Sequence, residues 1–206
     1  MNLYTTPRAV PKGRVVQTLA IQAFRGAGTE TSIAPVYGLR TGFASGADLG
    51  FRISPSALAA DLKWNFLRSS RFDVAMVVGA QALLAPAPPS KGTAYLDAPL
   101  IAGINLLEEL TVVPAVGLSY GFGSQPEPET AEFFGPTRVN PPRPSDAGGW
   151  LLRFGAGLDV RFTERFAVQP EVTMVRVLDP VSETSHFYVA GLGFNFGALP
   201  NYSEVP

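Results

Sequence analysis

The sequence predicts an all-β chain, an antiparallel up-and-down transmembrane β-barrel of ten strands. Three features lead there. Apolar and polar residues alternate with a period of two, in runs of about ten residues. The connections between runs are short at one end and long at the other. Nearly every mid-strand charge keeps to one face of its run.

The first feature is plain in "DLGFRI" (48–53), where Asp48, Gly50 and Arg52 alternate with Leu49, Phe51 and Ile53. It recurs in "LAADLKWNFL" (58–67), where Asp61, Lys63 and Asn65 alternate with Leu62, Trp64 and Phe66. Such alternation is the signature of a strand with two unlike faces. Ten runs show it, over 14–25, 31–42, 45–53, 58–67, 71–84, 93–105, 109–121, 149–162, 166–177 and 186–197. Their lengths are close to the roughly ten residues with which a tilted strand crosses a bilayer. Helical periodicity is nowhere sustained, and "NLLEEL" (105–110) is short enough to be a turn. Pro35, Pro99, Pro114 and Pro170 fall inside runs, and each lacks a ladder donor, so each demands a bulge or a broken hydrogen bond. Were the runs around Pro35 or Pro99 to fail, the strand count would drop to eight.

The connections sort by parity. After runs 2, 4, 6 and 8 they are tight: "FAS" (43–45), "RSS" (68–70), "LLE" (106–108) and "TER" (163–165). After runs 1, 5, 7 and 9 they lengthen, most of all at 124–148, a proline-rich stretch with no periodicity. Only "SPSA", after run 3, breaks the trend. Short turns at one rim and long loops at the other are the habit of outer-membrane barrels. An even strand count puts both termini on the short-turn side.

Orientation follows from the two faces. With the apolar set outward, the inward set contains a polar network of Arg40, Asp48, Arg52, Asp61, Lys63, Asp73, Asp97, Arg153, Asp159, Arg161 and Glu171. Near balance of acids and bases lets these groups pair, whereas unpaired burial would be costly. About half of the 21 glycines share that face, as expected of a crowded, narrow bore. Aromatic residues gather at the rims: Phe43, Phe66, Phe72, Phe162, Phe166, Phe194 and Phe196 at the short turns, Tyr37, Trp150 and Tyr188 towards the other end. Two such girdles mark membrane interfaces. The rival is a soluble, lipocalin-like barrel with the faces exchanged. Its water-facing set would then be rich in lysine, yet Lys63 is the only lysine in that set.

Composition narrows the functions. Charged residues are 16% of the chain, low for a soluble domain. A net charge of −1 offers no footprint for nucleic acid. Cysteine is absent, no stretch of 18 apolar residues would form a membrane helix, and the first residues lack the apolar core of a signal peptide. No Walker motif, nucleophile elbow or zinc spacing occurs, so neither a metal nor another cofactor is expected.

The stretches "GADLGFRI" (46–53), "LAADLKWNFL" (58–67), "RFDVAMVVGAQA" (71–82) and "FYVAGLGFNFG" (187–197) carry a resemblance. The chain resembles the small outer-membrane β-barrel proteins of Gram-negative bacteria, and in texture the uncharacterised barrels common in myxobacteria. The resemblance implies a signal peptide removed from a precursor, insertion by the barrel assembly machinery, and contact with outer-membrane lipid and lipopolysaccharide. One departure is that Phe196 is followed by "GALPNYSEVP", whereas such chains often end on the aromatic residue of the last strand. The only histidine, His186, does not fit the pattern of outer-membrane lipid A deacylases. Their serine, two residues after the histidine and followed by asparagine, is here Tyr188, followed by Val189. The expectation is therefore an N-terminal extension (1–13), a barrel (14–197) with a long loop at 124–148, and a C-terminal tail (198–206). Its role would be structural or surface-binding through that loop, with a mostly filled polar lumen. The alternatives are a narrow porin-like channel for small solutes or ions, and a lipid-modifying enzyme.

Overall fold

The computed structural model describes residues 4–26, 31–84, 94–122, 149–178 and 186–200. The strands are β1 (Val15–Gly26), β2 (Ser32–Ala44), β3 (Ala47–Ser54), β4 (Ala57–Arg68), β5 (Phe72–Leu83), β6 (Ala94–Leu107), β7 (Leu110–Phe122), β8 (Gly149–Thr163), β9 (Phe166–Val177) and β10 (His186–Gly197). Each pairs antiparallel with its neighbours in sequence, and β1 pairs with β10 to close the barrel. The count is ten, not eight. Closure leaves no sheet edge unpaired, the condition for a sheet to stand in lipid.

The strand prolines act more gently than a bulge would. Around Pro99 and Asp159–Pro170 the ladder lapses for two pairs and resumes in the same register, Met76↔Leu100 then Gly79↔Asp97, and Gly157↔Glu171 then Val160↔Val168. The bulges lie elsewhere. Register shifts occur between Gly42 and Ala44, Asn65 and Leu67, Asn105 and Leu107, and Arg161 and Thr163, each beside a short turn. An extra residue there tightens the local twist as the chain reverses. At the first of these turns Gly46 has φ +83°, a left-handed conformation that suits glycine. The loop 124–148 lies outside the described residues.

Orientation is unambiguous along β4. Asp61 and Lys63 are 4% and 0% exposed, while Leu62 and Trp64 are 42% and 59% exposed. A lipocalin-like arrangement would show the reverse, and that alternative is overturned. The rim aromatics all face outward: Phe43, Phe66, Phe72, Trp150, Phe162, Tyr188 and Phe196 are exposed, Phe166 and Phe194 half-buried. Phe162, Phe166 and Phe196 form a continuous stack with ring centroids 5.7 and 5.1 Å apart.

Candidate functional site

The interior of the barrel is occupied by its own N-terminal residues. Residues 4–8 and Val10 are buried, and the segment descends inside the bore to the short-turn rim. There Lys12 bridges Gly42 in parallel to β2, and Gly13, at φ +71°, turns the chain into β1. What stands first in sequence as an extension is a filling of the lumen.

Wall residues hold this segment mostly by its backbone. Lys63 Nζ donates to Thr5 Oγ1, Thr6 O and Arg8 O, each at 2.8 Å, and pairs with Asp48 at 3.1 Å. Asp48 in turn accepts from the Val10 amide at 2.8 Å. The Tyr4 amide donates to Glu171 at 2.9 Å, and Gln169 Nε2 donates to Thr5 O at 3.2 Å. Arg8 Nε donates to both oxygens of Asp73 at 3.1 Å, and Asn105 donates to the same carboxylate at 2.9 Å. The buried ammonium of Lys63 thus meets four oxygens, the satisfaction that a buried charge requires.

Glycine makes the room. A Cβ at Gly103 would stand 2.8 Å from Pro7 Cγ, one at Gly193 2.7 Å from Tyr4 Cδ1, and one at Gly191 would collide with the Tyr4 hydroxyl. At Gly42 a Cβ would strike the carbonyl oxygens of Val10 and Pro11. Here inward glycines are the contact surface for a second layer of chain.

Above this layer sits a second charged group. Arg40 pairs with both Asp48 and Asp61, Arg52 pairs with Asp61 at 3.0 Å, and Arg153 pairs with Asp97 at 3.0 Å, to which Ser119 also donates. Lower down, Asp159 and Arg161 line a cavity of about 40 Å³ with Thr6, Lys63 and Pro200. Arg161 donates to the Pro200 carbonyl, so Ala198–Pro200 caps the short-turn rim. Nearer the long-loop rim the wall turns apolar. Tyr95, Leu151, Val175 and Val177 pack together with Leu83 and Phe187. The lumen is therefore layered, its polar network below and an apolar cluster above. Toward that rim the inward parity runs into Leu83 on β5, Leu151 on β8, and Val175 and Val177 on β9.

Arg8 and Tyr4 were not legible as site residues, because residues 4–11 show no strand period. One signal existed. The inward network counts six acids, Asp48, Asp61, Asp73, Asp97, Asp159 and Glu171, against five bases. Arg8 is the sixth base. Among the described residues, no cluster of three or more His, Asp or Glu side chains is placed to hold a metal ion. His186 stands at the opposite rim, its ring edge-on to Tyr188 at 5.7 Å.

No family model matches this chain, and no curated protein matches it in sequence. Among solved structures, it is similar to an outer membrane channel from Pseudomonas putida F1, with 11% identity, TM-score 0.50, and coverage of 96% of this chain and 100% of that one. It is also similar to Ail, the attachment invasion locus protein of Yersinia pestis (13%, TM-score 0.36, 89% and 97% covered). A third similarity is to Neisserial surface protein A (12%, TM-score 0.42, 90% and 97% covered). At such identities the likeness is one of fold.

Proposed function

We propose that this chain is an integral β-barrel of the bacterial outer membrane whose sealed bore excludes transport, and that it serves a structural or surface-binding role. The observation that carries this reading is residues 4–10 packed inside the wall, with Lys63, Asp48 and Asp73 all engaged on them. A barrel of eight strands holds only side chains, whereas sixteen leave a channel. Ten strands leave room for one extended segment, and it is filled. The apolar outer band, with Leu62, Trp64, Met76, Leu100 and Phe154 exposed, supports lipid as the surrounding medium. The contact surface would be loop 124–148, which follows β7 at the end of the barrel away from the short turns.

Planar-bilayer recording tests the closed bore directly: the full chain is expected to stay silent at all applied voltages, and resolved channel openings would overturn the reading. A chain that is monomeric in buffer without detergent would remove the membrane assignment altogether. Deleting 124–148 should leave a folded barrel that no longer engages a surface partner. A narrow channel is the second reading, favoured by the polar wall exposed if the N-terminal segment withdraws. No catalytic role is proposed: His186→Ala is expected to leave lipid A composition unchanged.

A further inference from the structure

The outward face of the wall is nearly free of ionisable groups. Reading the outward parity along β1–β10 gives apolar residues at most positions, and among the described residues only three there can carry positive charge: Arg25 on β1, Arg176 on β9 and His186 on β10. All three lie on adjacent strands and at the same, long-loop rim. His186 stands directly opposite Arg176, and Arg25 directly opposite Tyr188, two residues further along β10. Both arginines are exposed, and neither has an ion-pair partner among the described residues. No outward acid accompanies them anywhere on the described strands.

Depth gives the cluster meaning. An outward Arg costs about 2–4 kcal/mol at the bilayer midplane but roughly 0–1 near an interface. Trp150 and Tyr120, edge-on at 5.0 Å, share this rim, and Trp150 accepts a hydrogen bond from Leu178, two residues beyond Arg176. Such aromatic pairs settle at headgroup level. Two guanidinium groups in that plane face the phosphates of lipid headgroups, which they bind bidentately. Strands lie about 4.8 Å apart and rise about 3.4 Å per residue, so the two arginines are separated by roughly 10 Å across β10 and 7 Å along it. One phosphate between them is a poor fit; two on one headgroup suit the spacing.

We infer that Arg25 and Arg176 form a lipid-facing site on the β9–β10–β1 sector for the headgroup of an outer-leaflet glycolipid carrying two phosphates. The inference rests on the membrane reading above and adds a ligand class and a location to it. The full chain, refolded in detergent, is mixed with equal mole fractions of bisphosphoryl lipid A, its dephosphorylated form and phosphatidylglycerol, and retained lipid is read by native mass spectrometry. Retention of the bisphosphoryl form should exceed that of each of the others by at least about tenfold, as expected for charge-assisted bonds to two guanidinium groups. The variant R25Q/R176Q should lose that margin while keeping heat-modifiable barrel migration. Equal retention of the three lipids by the unaltered chain would overturn the site, whether or not the variant folds, and so would undiminished retention by a folded variant. A chain that inserts into vesicles yet shows no preference defeats this inference alone. A chain that stays out of vesicles defeats the membrane reading with it.

Discussion

Lys63 shows what one residue can decide. Its neighbours in sequence, Leu62 and Trp64, face outward, and its own ammonium is fully buried among Asp48, Thr5, Thr6 and Arg8. Removing one member of a buried ion pair typically costs about 3–5 kcal/mol when the partner charge is left without compensation. Asp48 keeps Arg40 and the Val10 amide, whereas the Thr6 and Arg8 carbonyls lose their donor, so Lys63→Met is expected to lower barrel stability by about 3 kcal/mol, the lower end of that range, read by guanidinium unfolding from detergent micelles. It should also free residues 4–8 for proteolysis in the folded barrel. Gly191 makes the complementary case: Gly191→Val puts a side chain where the Tyr4 ring lies, and should expel the segment without touching a charge. A segment that stays protected from protease in Gly191→Val would show that its seat is looser than the packing implies.

At the scale of an element, the N-terminal segment and the wall are separable. The ladder of ten strands is complete without residues 4–11, and the segment's one bridge to the wall, Lys12↔Gly42, follows them. Deleting residues 1–11 should leave a closed barrel of lower stability, since Asp73 and Glu171 lose Arg8 and the Tyr4 amide. Conductance steps absent from the full chain are expected in planar bilayers. A deletion variant with an unchanged unfolding midpoint and no current would mean that the segment neither braces nor blocks the bore. The strand prolines illustrate a similar separability. Pro99 and Pro170 interrupt hydrogen bonding locally, yet the pairs on both sides keep one register, because side-chain parity inside a closed wall permits no slip.

The whole molecule is an inside-out arrangement relative to a soluble domain. Its apolar surface is the outer one, and its charge is collected into a bore layered from ionic to apolar. An outward charge placed at mid-wall, Leu62→Arg, should cost about 2–4 kcal/mol in lipid vesicles, whereas Phe43→Arg at the rim should cost roughly 0–1. Comparing refolding midpoints of the two variants checks the assignment of the outer band. Similar penalties at the two positions would contradict a bilayer around it. Because the ion pairs of the bore lie away from bulk water, added salt should change its stability little.

How the strands run, how many there are and which way each side chain points was legible in the order of residues, since a period of two, turn-forming clusters and connection lengths are local properties. Asp61 and Leu62 take opposite sides of β4 for no reason beyond adjacency in a strand. The identity of the material filling the bore was not legible. Residues 4–11 carry no periodic pattern, and their partners Lys63, Asp73, Gln169 and Glu171 lie 55 to 167 positions away in the chain. The same holds for Arg25 and Arg176, which become neighbours across β10 only when β1 meets β10. Contacts of that kind depend on closure, a property of the ring of strands as a whole and of no single stretch within it.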